Sequence, residues 1–335
     1  MAMKTKRITA LQYRELIGAK DVQAVFQFLR NHTCYSEFLQ KLDPENCHRA
    51  EIEVRLNDLK VRETEKLMHY LDGADKAFFK MFLIWQEVEA LRILIRGLSR
   101  GDDLGALRNL VVYSEKHSKV PFGRLFRAKD WETFKKLLAD SDYYRVLEIY
   151  KDVTDLQDLV MVEKSLDRYY YDLLKNRLLM LDKKTNRDLI EVQQRNFDLL
   201  NLVWIYRGKK FYHLSREELI AYSLRGGYEI TEKRLADLAG AKNLAEMKTQ
   251  LTNSEYAFLF NHTETIDLYM ERRRERYLYY RYRQLFRAGS ESLGRAVAHI
   301  YLLDFEIHDI TAIIESKRYR LTPEETRKYL IRAVD

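Results

Sequence analysis

Apolar residues recur at helical spacing along most of the chain. Leu303, Ile307, Ile310 and Ile314 step by four, three and four, which puts them on one stripe of a helix. Asp304, Glu306, His308 and Asp309 lie off that stripe. Val88, Leu91 and Ile95 make the same stripe earlier in the chain, as do Leu199, Leu202 and Tyr206. No alternating apolar–polar stretch of convincing length occurs. Chain breakers fall between the periodic segments, at Pro44, Gly73, Gly101–Gly105, Pro121, Gly226–Gly227 and Pro323. The pattern predicts an all-α protein with many helices of ordinary length. Its apolar runs, at 81–85, 199–206 and 299–305, fall far short of the roughly 18 residues of a membrane span.

The helical pattern repeats. "AKDVQAVFQFL" from Ala19, "AKDWETFKKLL" from Ala128 and "AKNLAEMKTQL" from Ala241 stand roughly 110 residues apart. Each is followed at a similar distance by a tyrosine: Tyr35, Tyr143 and Tyr256. A second marker reads "IEVRLND" from Ile52, "VEKSLDR" from Val162 and "IDLYMER" from Ile266. A third reads "EVEALRILIRG" from Glu87, "DLLNLVWIYRG" from Asp198 and "EIHDITAIIES" from Glu306. Three markers, in one order and at nearly constant spacing, predict a tandem triplication. Its helical units span residues 1–112, 113–222 and 223–335, each long enough for its own core. Three such units can close about a pseudo-threefold axis or stack as an open row.

Composition narrows the class. Apolar residues make up 46% and charged residues 33%, enough apolar surface to exclude a disordered chain. With 12 Gly and 3 Pro in 335 residues, an all-β fold rich in tight turns is excluded. Two cysteines, Cys34 and Cys47, build no disulfide scaffold and suggest a reducing compartment. The basic start, MAMKTKRITALQYREL, has no apolar segment of a secretory signal, so a soluble cytoplasmic protein is expected.

Taken together, "DLLNLVWIYRGKKFY" at 198–212, "SLRGGYEITEKRLADLAGAK" at 223–242 and the triplication resemble the C subunits of the bacterial and archaeal V/A-type ATPases (ATP synthases). In eukaryotes the same family supplies the d subunit of the V-type enzyme. The resemblance spans essentially the whole chain. Ser316–Lys317 and Glu315 depart from the pattern, since the earlier copies carry Arg96 and Arg207 at the position of Glu315. The resemblance implies a non-catalytic rotor component built as a funnel of three helical subdomains. That component sits on the cytoplasmic face of the membrane, on the proteolipid rotor ring, and receives the shaft made of the D and F subunits. It would couple ATP hydrolysis or synthesis to H⁺ or Na⁺ translocation. No cofactor, metal, nucleic acid or homo-oligomer is implied.

Candidate chemistry is sparse. Segment 271–287, "ERRRERYLYYRYRQLFR", holds seven arginines and two acids and supplies most of the chain's net charge of +7. Arg272, Arg273, Arg274, Arg276, Arg281 and Arg283 are the candidate partner-docking residues. Such a helix can dock an acidic partner or headgroups, bind nucleic acid, or form a solvated face whose arginine stems cover a core. The alternative function is therefore a helical adaptor for nucleic acid or acidic proteins. His32, Cys34, Cys47 and His48 are zinc-type ligands in a spacing that fits no zinc motif. Glu87, Asp198 and Glu306 recur once per unit inside amphipathic helices. Pairing with an arginine or a helix N-terminus of the same unit is expected for them, rather than acid catalysis. No phosphate-binding loop or hydrolase motif is present.

Overall fold

The computed structural model describes residues 7–43, 48–153, 155–261, 265–288 and 293–334, with Gln157 described in its backbone only. Pro44 and Cys47 lie outside the described residues. Among the described residues every regular element is helical. The chain forms two compact units, one of residues 1–12 and 19–181, the other of residues 13–18 and 182–335.

Helix α1 (Ala10–Gly18) opens the chain, and its residues from Tyr13 onward belong to the second unit. The first unit continues with α2 (Val22–His32), α3 (Ser36–Leu39), α4 (Arg49–Met68), α5 (Gly73–Phe79) and α6 (Met81–Arg100). A 3₁₀ turn at Ala106–Leu110 leads to α7 (Phe122–Leu125), α8 (Trp131–Leu137), α9 (Asp142–Leu147) and α10 (Leu156–Leu179). The long helix α6 packs on both α4 and α10.

The second unit contains α11 (Arg187–Phe211), α12 (Arg216–Tyr222), α13 (Glu232–Gly240), α14 (Leu244–Gln250) and a 3₁₀ turn at Ala257–Phe260. Then come α15 (Ile266–Arg287), α16 (Leu293–Arg318) and α17 (Pro323–Tyr329). Here α15 packs along both α11 and α16.

Each sequence marker has a local physical cause. The "AKD/AKD/AKN" marker is a helix start. Asp21 Oδ1 accepts from the amide of Ala24 at 2.8 Å, Asp130 Oδ1 from Thr133 at 2.7 Å, and Asn243 Oδ1 from Glu246 at 2.9 Å. Each side chain satisfies an amide that the first turn leaves open. The second marker is a buried pair one turn apart: Ile52 and Leu56, Val162 and Leu166, Ile266 and Met270. In the third marker the predicted stripes of α6, α11 and α16 are all buried.

The third marker's small residue marks where a short element crosses the last turn. A methyl group on Gly208 would lie 2.5 Å from Leu219 and 3.3 Å from Leu214; one on Gly97 would press on Leu104 and Leu107. The corresponding Ser316 is buried and returns its hydroxyl to Ile313 O at 2.7 Å. Beyond it, α12 and α17 each start with a capping box, Ser215 with Glu218 and Thr322 with Glu325.

α16 departs from the expected amphipathic pattern. Glu306 and Asp309 are buried along with the apolar stripe, as are His299 and Ser316. The helix is enclosed on more than one side, so its polar positions serve the interior.

Candidate functional site: the basic helix and the helix junctions

The arginines of α15 point largely into their own unit. Arg276 donates to Leu330 O at 2.7 Å and to Ile331 O at 2.9 Å, and Arg272 donates to Leu330 O at 3.4 Å. Arg273 donates to Leu259 O at 3.0 Å and to the Thr265 hydroxyl at 3.2 Å. Arg274 bridges Glu271 at 3.0 Å and Asn196 Oδ1 at 3.0 Å. Arg281 donates to the Tyr277 hydroxyl at 3.2 Å and lies 3.7 Å from Glu255. Arg283 is half-buried. Burial, then the neighbouring Arg276 and Arg273, push Arg272 down to about 10. Four of the six candidates thus hold main-chain carbonyls or carboxylates of this unit at 3.0 Å or less or through an ion pair.

The recurring carboxylates sit at helix junctions. In the first unit Glu87 of α6 accepts from the Tyr143 hydroxyl at 2.9 Å. Burial raises Glu87 above the ordinary range, opposed by hydrogen bonds from Ser118 and Tyr143. In the second unit Asp198 of α11 is fully buried and accepts four hydrogen bonds. They come from the amides of Tyr228 (3.0 Å), Glu229 (2.7 Å) and Ile230 (3.3 Å) and from the Tyr256 hydroxyl (2.9 Å). Burial raises its pKa and these donors oppose it. For Glu87 and Asp198 the expected arginine or helix-terminus partner of the same repeat is corrected here. The partners are tyrosine hydroxyls and loop amides from beyond the boundaries expected at 112/113 and 222/223. Gly226 (φ 88°) and Gly227 shape the amide cradle, and a methyl group on Gly227 would overlap the Asp198 carboxylate.

One turn further along α11, Asn201 accepts from Leu224 N at 2.7 Å and donates to Leu224 O at 2.8 Å. Asp309 holds the matching register on α16. It accepts from Ile331 N at 2.6 Å, Arg332 N at 3.2 Å and the Tyr13 hydroxyl at 3.1 Å. Burial pushes Asp309 up to about 7, against the pull of those donors. Neither Asn201 nor Asp309 was expected from sequence to hold a junction. The signal available was a second polar residue three positions after Asp198 and Glu306, inside otherwise apolar helices.

Two helix pairs carry a ladder of ion pairs. Arg92 and Arg96 of α6 meet Asp167 and Glu163 of α10, with both Arg96–Glu163 bonds formed, at 2.5 and 2.9 Å. Arg207 and Lys210 of α11 meet Glu271 (2.9 Å) and Asp267 of α15. On α16, Glu315 takes the register of Arg96 and Arg207 and pairs with Arg318 at 2.6 Å.

Among the described residues no group of three or more His, Cys, Asp or Glu side chains could hold a metal ion. His48 and Glu51 form the capping box of α4, Cys34 is half-buried, and Cys47 lies outside the described residues. No described helix is long and apolar enough to cross a membrane.

These junctions hold helices to one another, and the chain is similar over much of its length to proteins of one kind. The A-type ATP synthase C subunit of Methanosphaera stadtmanae is 22% identical over 335 residues, spanning 97% of this chain and 84% of the relative. That of Methanocaldococcus jannaschii is 25% identical over 274 residues, spanning 78% and 66%. That of Methanosarcina barkeri is 23% identical over 181 residues, spanning 54% and 47%. A family model described as ATP synthase (C/AC39) subunit matches residues 1–329, and the chain belongs to that family.

Proposed function

We propose that this chain is a non-catalytic coupling component of a rotary ATPase. In this reading its three repeats, 1–112, 113–222 and 223–335, close about a pseudo-threefold axis. The closed form is a socket joining a shaft of D and F subunits to the membrane ring, so that rotation is coupled to ion translocation on the cytoplasmic side. Family membership supports the complex. The recurring N-caps, buried stripes and ion-pair ladders support the repeat. The observation that carries the reading is the family match over residues 1–329. Long packed helices in a chain with few glycines and prolines make a stiff adaptor, which is what torque transfer requires. A nucleic-acid role for α15 is not favoured, because most of its candidate arginines already have partners in this unit.

The test is native mass spectrometry of the folded chain with the D–F subcomplex of the same organism. A one-to-one-to-one complex is expected. Its absence in the presence of both D–F and the membrane ring would overturn the reading.

A further inference from the structure

The arginines of α15 divide in two along the helix. Arg272, Arg273, Arg274 and Arg276 are engaged by carbonyls and side chains of their own unit, and Arg281 by Tyr277 and Glu255. Arg283 and Arg287, on the last two turns, have no carboxylate or carbonyl partner among the described residues. No acid follows Glu275 on α15, so the helix itself offers them no counter-charge. Leu278 and Tyr282 are buried. By helical period, Tyr280, Arg283, Gln284 and Arg287 lie on the opposite side. Tyr280, Gln284 and Arg287 are exposed there, and Arg283 is half-buried.

The fold does not call for this pair. Like charges one turn apart oppose each other, while the C-terminal end of a helix favours both, so the two effects nearly cancel. At the registers of Tyr280 and Arg283, α10 carries Asn176 and Leu179. The same chain shows how such a pair is satisfied. Arg92 and Arg96 stand one turn apart on α6 and meet Asp167 and Glu163, also one turn apart, on the antiparallel α10. Arg283 and Arg287 repeat the donor half of that ladder without its acceptors.

We infer that Tyr280, Arg283 and Arg287 form a docking face for an acidic helix of a partner protein, one that carries Asp or Glu residues a turn apart. The arginines complete across an interface the ladder that α6 and α10 build within the chain, and the Tyr280 ring supplies apolar contact beside it. Two arginines match two carboxylates. Lipid-binding clusters gather about 4–8 basic residues, and a nucleic-acid face follows a run of phosphates, so this pair suits neither. The source of the helix, though not its chemistry, rests on the function proposed above, under which it belongs to another subunit of the complex.

The test replaces Arg283→Lys and Arg287→Lys together, which keeps the charge and adds amines that a zero-length carbodiimide couples to carboxylates in contact with them. The full-length variant is made in the organism that supplies the chain, intact cells are cross-linked, and the linked peptides are sequenced. Links from both substituted positions are expected to acids three or four residues apart on a helix of one other protein. A rotary-ATPase subunit as that protein supports both readings; an unrelated protein keeps the docking face and counts against the rotary reading. Links from other lysines of this chain with none from the two positions, or links only within the chain, would overturn the docking face even if the chain binds D–F. Arg283→Ala with Arg287→Ala should move the thermal midpoint of the isolated chain by less than about 2 °C. The same variant should weaken binding to the cross-linked partner about tenfold or more. Lys183→Ala with Lys184→Ala removes the same charge from another exposed site and should leave that binding unchanged. A midpoint lowered by more than about 5 °C would make the arginines part of the packing and overturn the proposal, as would an equal loss of binding in the two double variants.

Discussion

Gly227→Ala isolates what the buried Asp198 carboxylate contributes. The new methyl group would overlap Oδ1, stand 2.8 Å from Cγ and stand 3.2 Å from Ile230 O. A main-chain oxygen on one side and a fully buried side chain on the other leave little room to yield. The carboxylate must move off its amides. Hydrogen bonds to a charged group are worth about 1.5–3 kcal/mol each, so losing two of the four costs roughly 3–6 kcal/mol. Gly227 has no left-handed φ, so alanine brings no backbone strain and returns about 0.4–1 kcal/mol through the unfolded chain. The expected net loss is about 3–5 kcal/mol. Urea unfolding followed by Trp204, the tryptophan of the second unit, measures it, with Trp85 and Trp131 replaced by Phe. In an Asp198→Ala background the methyl group enters vacated space and should cost under about 1 kcal/mol. Equal costs in the two backgrounds would refute the reasoning. Gly226→Ala is the control: its φ of 88° strains any other residue, so its cost should not depend on Asp198.

Asp309, raised to about 7 by burial, binds its proton more tightly in the folded than in the unfolded chain. Its contribution to stability is complete below about pH 4 and is lost as pH rises through about 7, on the order of 4 kcal/mol in all. Denaturation profiles between those values should be flatter in Asp309→Asn. Ser215→Ala and Thr322→Ala each remove one capping box and should cost about 1 kcal/mol by chemical denaturation. Arg92→Ala leaves the half-buried Asp167 with Lys164 alone, at 3.5 Å, and should cost about 1.5–3 kcal/mol, whereas Arg96→Ala, at a half-exposed site, should cost under about 1 kcal/mol. Reversing Arg272, Arg273 and Arg274 to Glu should lower the thermal midpoint of the chain alone. An unchanged midpoint with weaker assembly would return these arginines to partner docking.

The parts of the fold legible in sequence are those with local causes. Asp21, Asp130 and Asn243 could be read as helix starts, because an N-cap acts over three residues. The stripes through Val88, Leu202 and Ile310 could be read because burial follows helical period. The carboxylate sites were only half legible. Glu87 and Asp198 stood out by repetition, but their donors are tyrosines and loop amides brought together by tertiary packing. The direction of the α15 arginines could not be read at all. Their acceptors include the carbonyls of Leu259, Leu330 and Ile331, and a carbonyl carries no residue identity.

The proposed repeat boundaries at 112/113 and 222/223 fall inside the compact units, not between them. The last long helix before each boundary, α6 or α11, is packed and ion-paired to the first long helix after it, α10 or α15. At both places the two long helices share one interior in place of a hinge. A twisting load applied to one of these helices would pass to the other as compression of close-packed side chains, a medium of low compressibility. Little angular energy can be stored at such joints, so under the proposed function they would act as drive shafts rather than torsion springs.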